Sequence, residues 1–262
     1  MADLGHTVVL GAFAFLAGLV DAVVGGGGLI QIPALFLFLP PGDAAVVAAV
    51  LGTNKFSSFC GTGMAVVQYA RRIRLNWASL LPAAVSAFVF SFCGARVVTL
   101  LKPEFLRPLV LALLVAVAVY TFIRKDFGRL HAPAFTASRE RLFGILTGAV
   151  IGFYDGFFGP GTGSFLIFAF IGLFGFDFLT ASASAKVINV ATNLSAVAYF
   201  AATDHVLWRF AVPMAVCNVL GSVTGSRLAL RQGNRFVRGF FLVMVTAMIG
   251  RFGYDVLFAA PK

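Results

Sequence analysis

Residues 152–163 read Gly152-Phe153-Tyr154-Asp155-Gly156-Phe157-Phe158-Gly159-Pro160-Gly161-Thr162-Gly163, a carboxylate and a run of helix-breaking residues inside otherwise apolar sequence. A related break stands near the start of the chain, where Gly18-Leu19-Val20-Asp21 leads into Gly25-Gly26-Gly27-Gly28. Glycine and proline leave backbone groups unpaired within a helix. Lipid cannot satisfy such groups, so a break at membrane depth must be buried in protein or line a cavity. The apolar runs after the two breaks, about 29–39 and 163–175, are too short to span as straight helices. Each break therefore predicts a broken or re-entrant helix pair.

The surrounding composition supplies the membrane. Of 262 residues, 60% are hydrophobic and only 11% charged, and mean hydropathy is +0.96. A soluble domain needs a charged exterior that this chain lacks. Crossing a ~30 Å hydrocarbon core takes roughly 20 helical residues. Apolar segments fall at about 7–24, 29–39, 44–70, 76–100, 106–123, 142–158, 163–175, 179–202, 207–230 and 236–258, with a sharp stop at Pro40-Pro41-Gly42-Asp43. The expected architecture is an all-α polytopic membrane protein forming one transmembrane domain over residues 1–262. The first six residues lack a basic stretch, so no cleaved signal peptide is expected.

The net charge of +10 gathers in short loops: Arg71, Arg72 and Arg74; Arg124, Lys125, Arg129, Arg139 and Arg141; and Arg231, Arg235 and Arg238. Short basic loops between apolar runs mark cytoplasmic retention and argue against nucleic-acid binding.

An internal repeat organises the chain. Lys55 and Lys186 are 131 positions apart, and the same offset relates Trp77 to Trp208, Pro82 to Pro213, Gly94 to Gly225, Arg96 to Arg227 and Arg107 to Arg238. Asp21 and Asp155 correspond at 134. Two repeats of about five segments each follow, about 7–123 and about 142–258, joined by a polar linker over about 124–141. The basic 71–74 loop has a counterpart at 203–206 with Asp204 and His205 but no Lys or Arg, whereas 231–238 holds three Arg. An odd number of segments per half and this exchange of basic loops predict inverted-topology repeats, with both termini outside and the linker in the cytoplasm.

Three groups of residues are candidates for function. A helix starting after a break presents free N–H groups and a positive dipole end, which favours an anion; Gly27, Gly28, Gly161, Thr162 and Gly163 stand there. The bland alternative is close helix packing. Lys55 lies about 17 Å into its segment at 1.5 Å per residue, near the bilayer centre, and Lys186 repeats it. A lysine at that depth persists only when paired or solvated in a cavity. Thr53, Asn54, Ser57 and Ser58 accompany the first, and Ser182, Ser184, Asn189, Thr192 and Asn193 the second. Ammonium, amide and hydroxyl donors together suit an oxyanion. The alternative is a structural ion pair from each Lys to Asp21 or Asp155, the acids deep within apolar segments. These acids are expected to pair with the lysines first and to carry protons in coupled transport second.

Cys60, Cys93 and Cys217 show no CxxC spacing, and no zinc site or disulfide framework follows. HExxH, GxSxG and Walker lysine motifs are missing too, so no catalytic, metal or cofactor residues are assigned. The contending functions are a carrier of small anions, an anion channel, and a membrane-embedded enzyme acting on a small anion or lipid through Asp21 or Asp155.

At these residues the sequence resembles the sulfite exporter TauE/SafE family of bacterial membrane proteins. The resemblance lies in Gly18-x-x-Asp21 before Gly25–Gly28 and Pro33, in Gly52-Thr53-Asn54-Lys55, in the 152–163 stretch, and in Ala185-Lys186-x-x-Asn189. It implies a multi-pass secondary transporter of the bacterial inner membrane, an exporter of sulfite, organosulfonates or other small anions. One departure is that the first break lacks the Pro-x-Thr of the second.

Overall fold

The computed structural model describes residues 2–38, 44–98 and 136–258. Over these the chain is helical, without strands: α1 (Ala2–Val24), α2 (Gly28–Phe38), α3 (Ala44–Ala70), α4 (Trp77–Val98), α5 (Ala137–Phe157), α6 (Thr162–Gly172), α7 (Phe178–Ala202) and α8 (Trp208–Phe258). The fifth apolar run, the Pro40–Asp43 stop and most of the linker lie outside the described residues. Expected segments nine and ten are both present within α8, as two helices that meet at Gly233, whose φ of 72° and ψ of −164° are not helical. Helix α5 starts at Ala137 rather than about 142. Glu140 in its first turn favours the helix dipole and accepts a 2.9 Å hydrogen bond from Asn76 Nδ2.

Both short helices after the glycine breaks are present, with 11 residues each. Among the described residues, only Gly5–Val24 and Trp77–Val97 are long and apolar enough to cross a membrane on those criteria alone. Helices α3 and α7 are longer, at 27 and 25 residues, but carry Lys, Asn and Ser through their middles.

Helix α1 packs on α8 and α4 on α5, while α3 lies against both α7 and α8, and α7 also contacts α4 and α6. Small residues set these distances. Gly152 and Gly156 of α5 face Ala87 and Ser91 of α4, where an added Cβ would fall 2.7 Å and 2.8 Å from the facing Cα atoms. Gly221 and Gly225 of α8 face the backbone of Phe15 and Leu19 on α1 in the same manner. Such contacts let van der Waals packing and interhelical hydrogen bonds hold helices together without an aqueous hydrophobic drive.

Polarity is arranged inside out. Leu81, Val85 and Val89 form an exposed apolar stripe on α4, and Val212, Val216 and Leu220 form its counterpart on α8, all at least half exposed. The buried polar residues include Lys55, Lys186, Asp155, Asn54, Asn189 and Asn193. Two apolar clusters occupy the two ends of the helices. One gathers Tyr69, Leu80, Phe174, Phe176, Val237 and Phe241, with Ile73 and Leu75 packed on it. The other gathers Leu10, Leu35, Ala48, Phe200 and Val206. The basic loop 71–74 and the basic stretch 231–238 around the Gly233 kink thus flank the same cluster, and the loop holding Asp204 and His205 flanks the other.

Candidate functional site

The two helix breaks meet. Gly25 and Gly26 hold φ of 78° and 95°, and Gly159 and Gly161 hold 90° and 84°, conformations in the left-handed region that L side chains rarely adopt. Gly25 lies against Gly163 so closely that a Cβ on Gly163 would sit 2.5 Å from the Gly25 Cα. A glycine on each side is what permits this approach.

Backbone groups freed by the first break find partners from three other helices. At the end of α1, the Ala22 carbonyl accepts from Tyr69 Oη at 2.8 Å, the Val23 carbonyl from Ser182 Oγ at 2.6 Å, and the Val24 carbonyl from Ser164 Oγ at 3.3 Å. In the second break, Tyr154 Oη donates to the Pro160 carbonyl at 2.7 Å and Thr162 Oγ1 to the Gly159 carbonyl at 2.7 Å. These bonds meet the requirement that buried backbone be paired where no water is available.

Two ion pairs cross between the breaks. Lys55 Nζ lies 2.8 Å from Asp155 Oδ2, with both side chains about 95% buried. The contact lacks hydrogen-bond alignment and is an ion pair by distance. Lys186 Nζ lies 3.9 Å from Asp21 Oδ2; Lys186 is fully buried and Asp21 is 18% exposed. Asp21 also accepts from Thr62 Oγ1 at 3.1 Å and, more weakly, from the Gly27 amide at 3.4 Å. Among the described residues, Lys186 Nζ has no hydrogen-bond partner. The two pairs are therefore unequal: one is short and buried, the other longer and partly open.

A small polar cavity of about 30 Å³ opens where these groups converge. Its wall includes Asp21, Asn54, Lys55, Asp155 and Asn193, together with Gly28, Gly161, Thr162 and Gly163 from the two helix starts. It has room for a water or two. Eight of the sequence candidates stand elsewhere, Ser57, Ser182, Ser184 and Thr192 among them. Lys186 is behind Asp21, and Asn189 packs behind Gly163, where a Cβ would meet its Nδ2 at 3.1 Å. The Gly27 amide turns to Asp21. Thr53 Oγ1 accepts from the Leu207 amide at 2.9 Å, tying α3 to the start of α8.

Ser58, expected beside Lys55, lines the cavity as well, and so do Gly26 and Gly159, which were not singled out for the site. Ser58 is three residues past Lys55 on α3, so the helical repeat alone puts it on the same face. Gly26 and Gly159 line the wall as backbone, which side-chain chemistry does not reveal. The Gln31–Asn218 pair, joined at 3.0 Å and buried, is a further polar contact between α2 and α8. Among the described residues no group of His, Cys, Asp and Glu is arranged to hold a metal.

Comparison with known proteins agrees with a transport role. A family model described as "Sulfite exporter TauE/SafE" matches residues 10–252. The "Probable membrane transporter protein ORF9" of Sinorhizobium sp is 34% identical over 90% of this chain and 87% of its own length. The "Probable membrane transporter protein YfcA" of Escherichia coli K12 is 32% identical over 94% of this chain and 89% of its own. A "Probable membrane transporter protein" of Haemophilus influenzae is 31% identical over 94% of each. No solved structure matches. With buried lysine–aspartate pairs at the junction of two broken helices and a family match over nearly its whole length, the chain belongs to the sulfite exporter TauE/SafE family of membrane transporters.

Proposed function

We propose that this transporter is a carrier of small anions of the sulfite or organosulfonate class, working by alternating access around the Lys55–Lys186 region in the direction of export. It is a multi-pass protein of the bacterial inner membrane and a carrier rather than an enzyme. The single observation that carries this reading is the crossed pairing of Lys55 with Asp155 and Lys186 with Asp21 beside two helix starts. Each pair links a lysine of one half to an acid of the other. Relative motion of the halves and binding of an anion then act on the same contacts. The cavity is too small for a polyatomic anion without opening, and rocking of the halves supplies that opening.

The reading includes two inverted-topology repeats, about 7–123 and about 142–258, within one domain. It is supported by the crossed pairs, by the equivalence of the α1–α8 and α4–α5 contacts, and by the two basic stretches flanking one apolar cluster. Trp77 and Trp208, equivalent in the repeat and both exposed, adjoin opposite clusters, as interfacial anchors of inverted halves would. Within the site, Lys55, Asn54, Asn193, Gly28, Gly161, Thr162 and Gly163 contact the anion. Asp21 and Asp155 pair with the lysines, and Lys186 and Asn189 act from behind the wall. Coupling to protons would run through Asp21, the more exposed acid.

The test is counterflow of labelled sulfite in proteoliposomes. A carrier exchanges label against unlabelled anion, whereas a channel conducts without exchange. Lys186→Ala is expected to abolish exchange while the protein still inserts and folds. Sulfite flux at the normal rate in that variant defeats the site assignment.

A further inference from the structure

We infer that the central cavity is matched to a single negative charge, so that the transporter selects monoanions, such as alkyl sulfonates and bisulfite, over dianions such as sulfate. The inference rests on the anion-carrier reading above and adds the charge state of the cargo. Asp21, Lys55 and Asp155 are the charged side chains on the cavity wall, and Lys186 stands 3.9 Å behind Asp21. Two acids and two lysines sum to zero. An entering anion therefore meets no net formal charge.

What remains positive is the backbone. Helix α2 starts at Gly28 and α6 at Thr162 and Gly163, and all three residues line the cavity. Each helix start carries a partial charge of about +0.5, so the two together supply about +1. The cavity bears an independent sign of a ligand in Asn54, which is 4% exposed, lines the wall and has its Oδ1 unpartnered among the described residues. An amide so placed can present either its carbonyl or its NH₂ group. A monoanion brings the site close to neutrality. A dianion leaves excess negative charge in a poorly hydrated interior, where unpaired charge is costly. Lys55 touches the anion but its charge is already balanced by Asp155 at 2.8 Å, so it does not offset the second negative charge.

Methanesulfonate and sulfate are both tetrahedral sulfur oxyanions, and each keeps its charge, single and double respectively, throughout the neutral range. Full-length protein in proteoliposomes exchanging labelled sulfite is challenged with either one. Methanesulfonate is expected to compete at least about tenfold better than sulfate, and Asp21→Asn, which removes one negative charge without changing shape, is expected to reduce that ratio at least about tenfold. Asn54→Asp adds one negative charge at the wall, again without changing shape. It is expected to slow sulfite exchange and to raise the preference for methanesulfonate over sulfate, since the added charge repels a dianion more than a monoanion, and it serves as a second variant should the first fail to insert. Sulfite exchange in which methanesulfonate competes no better than sulfate, or in which neither variant moves the ratio, overturns the charge match and leaves the carrier reading standing. Absence of sulfite exchange in the wild type overturns the carrier reading and this inference with it.

Discussion

Replacing Lys55 by Met strands the Asp155 carboxylate in the interior. At an effective dielectric of about 20, unit charges 2.8 Å apart attract by about 6 kcal/mol. For Lys186 and Asp21 at 3.9 Å the same arithmetic yields about 4 kcal/mol, further reduced because Asp21 is 18% exposed. The net cost of breaking a buried pair is dominated by the charge left behind and is typically about 3–5 kcal/mol. Lys55→Met is therefore expected to lose about 3–5 kcal/mol of stability. Lys186→Met is expected to lose less, since Asp21 keeps the Thr62 hydroxyl and some access to water. Adding Asp155→Asn to Lys55→Met removes the stranded charge and recovers most of the loss, yet exchange stays abolished because the cavity has lost its ammonium group. Unfolding by SDS titration of mixed micelles, followed by circular dichroism, gives the stabilities; counterflow on the refolded double variant gives the activity. The reasoning fails if Lys55→Met is no less stable than Lys186→Met, or if the double variant is no more stable than the single.

Other expectations test separate parts of the architecture. Gly163→Ala puts a methyl group 2.5 Å from the Gly25 Cα, a contact between backbones that cannot swing aside, and is expected to cost about 1–3 kcal/mol in thermal unfolding. Thr53→Val removes the acceptor of the Leu207 amide at the start of α8 and is expected to cost about 1 kcal/mol in the same measurement. Topology is open to a direct check on a background with Cys60, Cys93 and Cys217 replaced. An impermeant maleimide is expected to label Asp204→Cys from outside in intact cells, and Arg72→Cys only after permeabilisation. Labelling of both from one side would rule out the inverted arrangement.

Much of the site was legible in the chain because membrane burial makes polarity conspicuous. A lysine or aspartate in an apolar run must be paired or functional, which singled out Lys55, Lys186, Asp21 and Asp155. Glycine clusters flagged the breaks because lipid offers freed backbone groups no partner. The count of spans was harder to read. Helices α3 and α7 carry enough polar residues facing the site to dilute their apolar signal. The Tyr69, Ser164 and Ser182 side chains that complete the first break also escaped notice as a set, because their partners are backbone carbonyls distant in sequence.

By itself the sequence determined the membrane class, the repeated lysines and acids, and the positions of the two breaks, since each follows from local composition or from a fixed offset. The choice of partners belonged to the tertiary structure. Either lysine had charge enough for either acid. Only the close contact of Gly25 with Gly163, and the packing of α3 against α7, set Lys55 beside Asp155 and Lys186 beside Asp21. The inequality of the two pairs arises the same way, because an ångström of separation and a little solvent around one carboxylate depend on how helices pack and not on which residues they contain.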